Sequence, residues 1–216
     1  MVTNLSESPG LHQVFLSELR NPVLQQNRAA FRANMQKLGQ ILAYEIGKKL
    51  PYKHMEVESP LGSAIHRVPE DEPVLCCILR AGLSFYQGFQ DYFVRSDAGF
   101  IGAYRGVSQA DHSFDIELNY EALPLTVGKT VILIDPMLAT GKSMLKAAKL
   151  LMKKGPINQL IVASLIASPE GISFLQNELP GTNIWTIAID KSLNDHAYIV
   201  PGLGDAGDLS FGTKLG

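Results

Sequence analysis

The stretch Thr130–Ser143, TVILIDPMLATGKS, decides how the rest of the chain is read. Thr130 to Ile134 is a short apolar run rich in β-branched residues, the composition of a strand buried on both faces of a parallel sheet. Asp135 ends the run, and open α/β sheets place ligand-binding residues at that carboxyl edge. Pro136, Met137 and Leu138 lead into Ala139, Thr140, Gly141, Lys142 and Ser143, which are small or hydroxylated with a single cation. Met144 to Lys154 then has helical apolar spacing and stops at Gly155-Pro156. A small-residue turn between a strand and a helix leaves backbone N–H groups unpaired at the positive end of the helix dipole, which makes it a phosphate site.

Three readings of the turn compete. Gly141-Lys142-Ser143 fits the end of the nucleoside-triphosphate loop G-x-x-x-x-G-K-[ST], but that pattern needs glycine at position 136, where proline stands. Proline has a side chain and no N–H, so a polyphosphate cradle could not close there in the same way. A ribose phosphate fits better. A carboxylate at the strand end accepts hydrogen bonds from two neighbouring sugar hydroxyls, and the turn beyond it holds a 5′-phosphate with the Thr140 and Ser143 hydroxyls as added donors. The plain alternative is an ordinary βα turn in which Asp135 caps a helix and Gly141 relieves strain.

Upstream, Val74–Leu79 is a second continuous apolar run, ending in Arg80-Ala81-Gly82 before a helical pattern from Leu83 to Phe93. Arg80 is thereby a cation at a strand's carboxyl edge, where a guanidinium can grip phosphate bidentately. Gly99–Arg105 reads as a strand ending in a second cation, Arg105. The polar segment Gly106 to Pro124 reads as a hairpin able to cover a site. Downstream, Leu160–Ala167 and Ile184–Asp190 are two further strands, with Ser168-Pro169 as a helix start between them. This alternation from 74 to 190 predicts an α/β fold, a doubly wound, mostly parallel sheet with flanking helices and a small hood or hairpin region from the N- and C-terminal segments. Pro22 to Leu50 carries a long helical pattern whose basic face reads as solvated, and Tyr52 to Asp71 reads as a hairpin apart from the main sheet. Residues 1–20 carry little periodic signal and are expected to form an arm or short helix. Tyr198 to Gly212 holds too much glycine for a regular element. Such a chain can offer main-chain N–H and C=O groups to a flat ligand.

The 216 residues suit one domain, residues 1–216, because a single core can grow to about 250 residues. A formal net charge of −2 supplies no general attraction to nucleic acid or to an anionic membrane. No apolar run is long enough to span a membrane, and the first residues lack the pattern of a signal peptide, so cytoplasmic residence is the default expectation. Cys76 and Cys77 are adjacent within a strand pattern and should point to opposite faces, which argues against a disulfide between them. The five histidines show no metal-ligand spacing.

DPMLATGKS at Asp135–Ser143 resembles the loop that binds phosphoribosyl pyrophosphate (PRPP) in the uracil phosphoribosyltransferases, whose usual form is DPMLATGGS. ILRAG at Ile78–Gly82, YR at Tyr104–Arg105 and YIVPGLGDAGD at Tyr198–Asp208 resemble that family's signatures in the same order, and AYE at Ala43–Glu45 is a weaker echo. The resemblance implies transfer of the 5-phosphoribosyl group from PRPP to uracil, giving UMP and pyrophosphate with Mg²⁺ on the diphosphate. It implies that Arg80 and Arg105 hold the diphosphate, that Asp135 takes the ribose hydroxyls, and that the loop through Pro136, Met137 and Leu138 brings Ala139–Ser143 to the 5′-phosphate. Ile199, Gly204, Asp205 and Ala206 would bind the base, with Asp205 also facing the PRPP–Mg²⁺ side as the candidate metal ligand. Asp135, Arg105 and Asp205 are the catalytic candidates, and a homo-oligomer, dimer or tetramer, is implied.

The chain departs from the family's pattern in three places. Lys142 replaces the second glycine of the loop, which would strain the backbone if that position needs φ > 0. Residues 106–119 do not follow the usual wording after YR, and Leu209-Ser210 replaces a basic–apolar pair before FGT. The Lys142 substitution makes a non-catalytic PRPP- or UMP-binding sensor a competing reading. An RNA-binding regulator is disfavoured by the charge and by the lack of a basic–aromatic stripe.

Overall fold

A computed structural model of the chain describes residues 1–105 and 116–213, the side chains of 104, 105 and 116–118 excepted. The first strand, β1 (Val2–Asn4), precedes helices α1 (Leu11–Arg20) and α2 (Arg28–Gly47). A hairpin of β2 (Tyr52–Ser59) and β3 (Gly62–Pro69) leads into β4 (Val74–Leu79), α3 (Leu83–Gln90), β5 (Ala98–Arg105) and β6 (Ile116–Ala122). Then come β7 (Thr130–Ile134), β8 (Met137–Leu138), α4 (Lys142–Lys153), β9 (Gln159–Ala167), α5 (Pro169–Glu178) and β10 (Asn183–Ile189). The chain ends in β11 (Ser192–Leu193), β12 (Ile199–Val200) and α6 (Ala206–Phe211).

The main sheet runs β1-β10-β9-β7-β4-β5-β6, with β8 added at the end of β9, and every pairing is parallel except β5 with β6. Its central strands are continuous apolar runs because helices cover both faces. On one face α1, α2 and α3 bury Leu19, Phe31, Leu38, Leu42, Phe85 and Phe89. On the other, α4 and α5 bury Leu145, Ala148, Leu151, Ile172 and Leu175. Cys77 joins the first core and Cys76 the second, so the two thiols do point apart, free and buried.

The strand order reverses at β4. The chain runs outward from β4 to β5 and β6, then crosses back to place β7, β9 and β10 on the other side. The crevice outside the carboxyl ends of β4 and β7 is therefore the topological switch point, where doubly wound sheets bind ligands. Arg80 and Asp135 leave the sheet there.

Several segments are more regular than their sequence suggests. Residues 1–20 contribute an edge strand as well as a helix, because Val2–Asn4 pairs in register with Ile184–Thr186. Ile116–Ala122 pairs antiparallel with β5, so this part of the expected covering hairpin extends the sheet. Residues 106–115 of that hairpin lie outside the described residues. The glycine-rich C-terminal segment includes β12 and α6, the latter started by Asp205, whose side chain accepts a hydrogen bond from the Asp208 amide.

Candidate active site

Asp135 is held on both sides of its Cα. Its amide donates to the Ala163 carbonyl at 3.1 Å, and its Oδ1 accepts from the Met137 amide at 3.3 Å. The surrounding protein desolvates the carboxyl and pushes its pKa up to about 7, against which the Met137 N–H pulls weakly. The residue's surface stays partly open to solvent, so the group is desolvated yet reachable.

The chain past Asp135 does not coil at once into a turn. The Pro136 carbonyl accepts from the amides of both Leu165 and Ile166 at 3.0 Å, and Met137–Leu138 lie parallel to Ile166–Ala167 as β8. The loop is thus stitched to the sheet before it turns at Thr140-Gly141. Ser168, expected only as the cap of α5, also donates from its hydroxyl to the Ala139 carbonyl at 2.6 Å while accepting from the Gly171 amide at 2.9 Å. Gly171 lies so close that a Cβ there would stand 2.1 Å from the Ala139 oxygen. Sequence reasoning missed that role, which depends on a contact between two loops.

Gly141 takes the left-handed conformation, φ +77°, and caps α4 without a side-chain hydrogen bond. Lys142 is the first helical residue, its amide 3.4 Å from Thr140 Oγ1. The positive φ therefore falls on the glycine, and Lys142 sits in ordinary helical backbone with an exposed side chain. The strain raised as a possibility for this lysine is absent. Gly141 has no side chain with which to cap α4, so beyond the Lys142 amide the opening turn presents main-chain N–H groups as an anion site requires.

At the neighbouring strand end, Arg80 reaches across to the C-terminal segment, with Nη2 3.1 Å from Asp208 Oδ1 and 3.2 Å from the Gly212 carbonyl. Asp205 Oδ1 accepts from the Asp208 amide at 2.9 Å, and a Cβ on Gly207 would lie 3.7 Å from that of Ala81. Gly82 closes the circuit to β7, since a Cβ there would lie 3.2 Å from the Ile134 carbonyl. The structure thus brings the end of β7, the Arg80 turn and the segment around Asp205 into one continuous rim. Ile199 and Ala206 are buried, while Gly204 is exposed with φ +91°. Arg105 ends β5, one strand beyond β4, and its side chain lies outside the described residues.

Comparison with known proteins gives the chain's family. The family model described as "Uracil phosphoribosyltransferase" matches residues 8–213. The chain belongs to the uracil phosphoribosyltransferase family. A uracil phosphoribosyltransferase of Porphyromonas gingivalis is 43% identical over 99% of each chain. Another, of Pyrobaculum arsenaticum, is 42% identical over 85% of this chain and 87% of its own. A solved structure of a protein from Aquifex aeolicus, 30% identical, superposes over 100% of both chains with a TM-score of 0.88.

Within the uracil phosphoribosyltransferase family, the departure at Leu209-Ser210 acquires a physical account. Leu209 packs partly buried against the core, and Ser210 is fully buried with its carbonyl accepting from Arg32 at 2.8 Å and its hydroxyl 3.6 Å from Met35 Sδ. Ser210 thereby fastens α6 to α2. Sequence reading also missed Arg20 and Asp190, which meet at 2.6 Å beside the C-terminal segment. One signal pointed to Asp190, since it follows a strand's carboxyl end as Asp135 does.

Proposed function

We propose that this protein transfers the 5-phosphoribosyl group of PRPP to N1 of uracil, forming UMP and pyrophosphate. The observation that carries the reading is the β7–α4 connection, with a reachable carboxylate at the switch point and, beyond a loop stitched to the sheet, a helix start whose N-cap, Gly141, has no side chain. In this reading Asp135 accepts from the two ribose hydroxyls, and the residues from Ala139 to Ser143 enclose the 5′-phosphate. Arg80 and Arg105 hold the diphosphate. Main-chain groups of Ile199, Gly204, Asp205 and Ala206 meet the alternating donors and acceptors of the pyrimidine edge.

The bond from C1 to the diphosphate oxygen breaks, a bond from C1 to N1 forms, and the N1 proton passes to solvent. Positive character develops at C1 and negative charge on the leaving group, so fixed charges and positioning supply the catalysis. Mg²⁺ bound to PRPP would neutralise charge on the diphosphate. The donor set suits such a guest, because Mg²⁺ usually takes one or two carboxylates with substrate phosphates and waters, and Asp205 keeps Oδ2 beyond its capping bond.

The whole of 1–216 acts as one phosphoribosyltransferase domain in the cytoplasm, with no nucleic-acid or membrane partner. Among the described residues no helix is long and apolar enough to cross a membrane. The protein assembles as a dimer or tetramer. Supporting this, the β2–β3 hairpin exposes Met55, Val57, Leu61 and Ile65, and two strands alone are marginal in water. The sensor reading drew on the Lys142 substitution; the positive φ falls on Gly141, which takes it without strain, and nothing else favours that reading.

The test is pyrophosphate release on mixing the protein with PRPP, Mg²⁺ and each nucleobase in turn. Release with uracil alone is expected. Silence with every base, or release with a purine in preference, would overturn the reading.

A further inference from the structure

Gly202 stands in the middle of the C-terminal segment, and both of its main-chain polar groups are held by side chains remote in sequence. Its amide donates to Asp190 Oδ2 at 2.9 Å, and its carbonyl lies 3.4 Å from Arg20 Nη1. The same guanidinium binds the Asp190 carboxylate through both terminal nitrogens, at 3.1 and 2.6 Å. Asp190 is itself pinned at the end of β10, where its amide donates to the Ala167 carbonyl at 2.8 Å. Its side chain is only 5% exposed. Arg20 closes the last turn of α1, which Glu18 ties to Asn34 of α2 at 2.6 Å.

This arrangement leaves Gly202 little freedom. It has φ +61°, and a Cβ there would fall 2.1 Å from the Ile199 carbonyl. Ile199 and Leu203, on either side, are sunk in the core. A buried ion pair is in general weak evidence for stability, since apolar residues can fill the same space as well. Apolar residues could not, however, fix the direction of an N–H and a C=O. A planar bidentate pair does that.

We infer that Arg20 and Asp190 are positioning residues for the nucleobase: by clamping Gly202 they set the direction of the main-chain groups from Ile199 to Ala206 that read the pyrimidine edge. Neither touches substrate. The inference rests on the reading of this segment as the base site. It makes the N-terminal helix, remote from the PRPP loop in sequence, a determinant of base affinity.

The test compares wild type, Arg20→Met, Arg20→Lys and Asp190→Asn by steady-state pyrophosphate release, varying uracil at saturating PRPP and the reverse. PRPP binding without base is measured by calorimetry, with melting temperature alongside. Arg20→Met should raise KM for uracil about tenfold or more and leave the PRPP dissociation constant within about twofold. Arg20→Lys, which keeps the charge but not the fork, should recover part of the loss. Asp190→Asn keeps an acceptor for the Gly202 amide and should fall between. A lower melting temperature with an unchanged uracil KM would make the pair a fastening only. Equal rises for uracil and PRPP would mean general loosening, and either result overturns the inference. If Arg20→Met does not fold, the other two variants carry the same comparison. Wild type tests the base site separately: silence with uracil but release with another base overturns that reading, and the pair is then judged on that base's KM.

Discussion

Replacing Asp135 by asparagine should stabilise the free protein while disabling it. The carboxyl is desolvated, and its pKa rises from 3.8 to about 7. That rise is equivalent to a ceiling of about 4 kcal/mol, at ~1.4 kcal/mol per pH unit. The group keeps some contact with water, which screens its charge, so we expect about half of this, about 2 kcal/mol. In a chain of 216 residues that is roughly 4–8 °C in melting temperature. The pH dependence identifies the cause. Between about 4 and 7 the unfolded chain has lost this proton and the folded one keeps it, so raising pH favours unfolding, and above about 7 the penalty is constant. Asparagine does not titrate and its oxygen still accepts from the Met137 amide. The variant's advantage should therefore be near zero at pH 4, grow towards pH 7 and level off. Calorimetric melting of both proteins from pH 4 to 8.5 measures it, and pyrophosphate release should fall at least about a hundredfold with loss of the charged acceptor. A variant that melts at or below wild type at pH 8, or whose advantage is the same at pH 4 and pH 8, would refute the reasoning.

PRPP binding at pH 7 should release about half a proton more from wild type than from Asp135→Asn, because ribose hydroxyls favour the ionised carboxylate; calorimetry in buffers of different ionisation enthalpy reads the difference, and equal release would count against it. Lys142→Gly should still bind PRPP, about threefold to tenfold more weakly and with a shallower salt dependence, because the exposed cation at the first turn of α4 is lost. A wild type that fails to bind PRPP where Lys142→Gly binds would show that the lysine obstructs the loop. Gly171→Ala drives a Cβ to 2.1 Å from the Ala139 carbonyl, so it should cost about 1–3 kcal/mol and lower kcat/KM for PRPP. Unchanged kinetics in that variant would mean that the loop needs no support from α5.

The central strands and the helices on either side were legible because each carries its own signal. A strand buried on both faces needs an uninterrupted apolar run, and Val74–Leu79, Thr130–Ile134 and Leu160–Ala167 are such runs. The rule that ligands gather at carboxyl strand ends then picked out Asp135 and Arg80 before their neighbours were known. What stayed hidden depends on partners distant in sequence. Val2–Asn4 becomes a strand because an edge of β10 is available to it. Met137–Leu138 becomes one because β9 outruns β7. The α6 turn forms in glycine-rich sequence because Asp205 caps it and Arg32 holds the Ser210 carbonyl, and together these outweigh poor propensity. The Arg20–Asp190 clamp joins residues 170 positions apart, and no local period reports such a pair.

Asp135 and Arg80 differ in how the free protein accommodates them, and the difference follows from exposure. Arg80, on the open rim, has carboxylate and carbonyl partners from the C-terminal segment, so its charge is balanced in a screened setting at little cost. Asp135 has one amide and a desolvating wall, and near neutrality it balances by keeping its proton about half of the time. Each accommodation gives way to a stronger claim from the proposed substrate, a diphosphate for the guanidinium and paired hydroxyls for the carboxylate. Because Arg80's present partners, Asp208 and the Gly212 carbonyl, belong to the C-terminal segment, a diphosphate that drew the guanidinium away would, on the proposed reading, also release that hold on the segment.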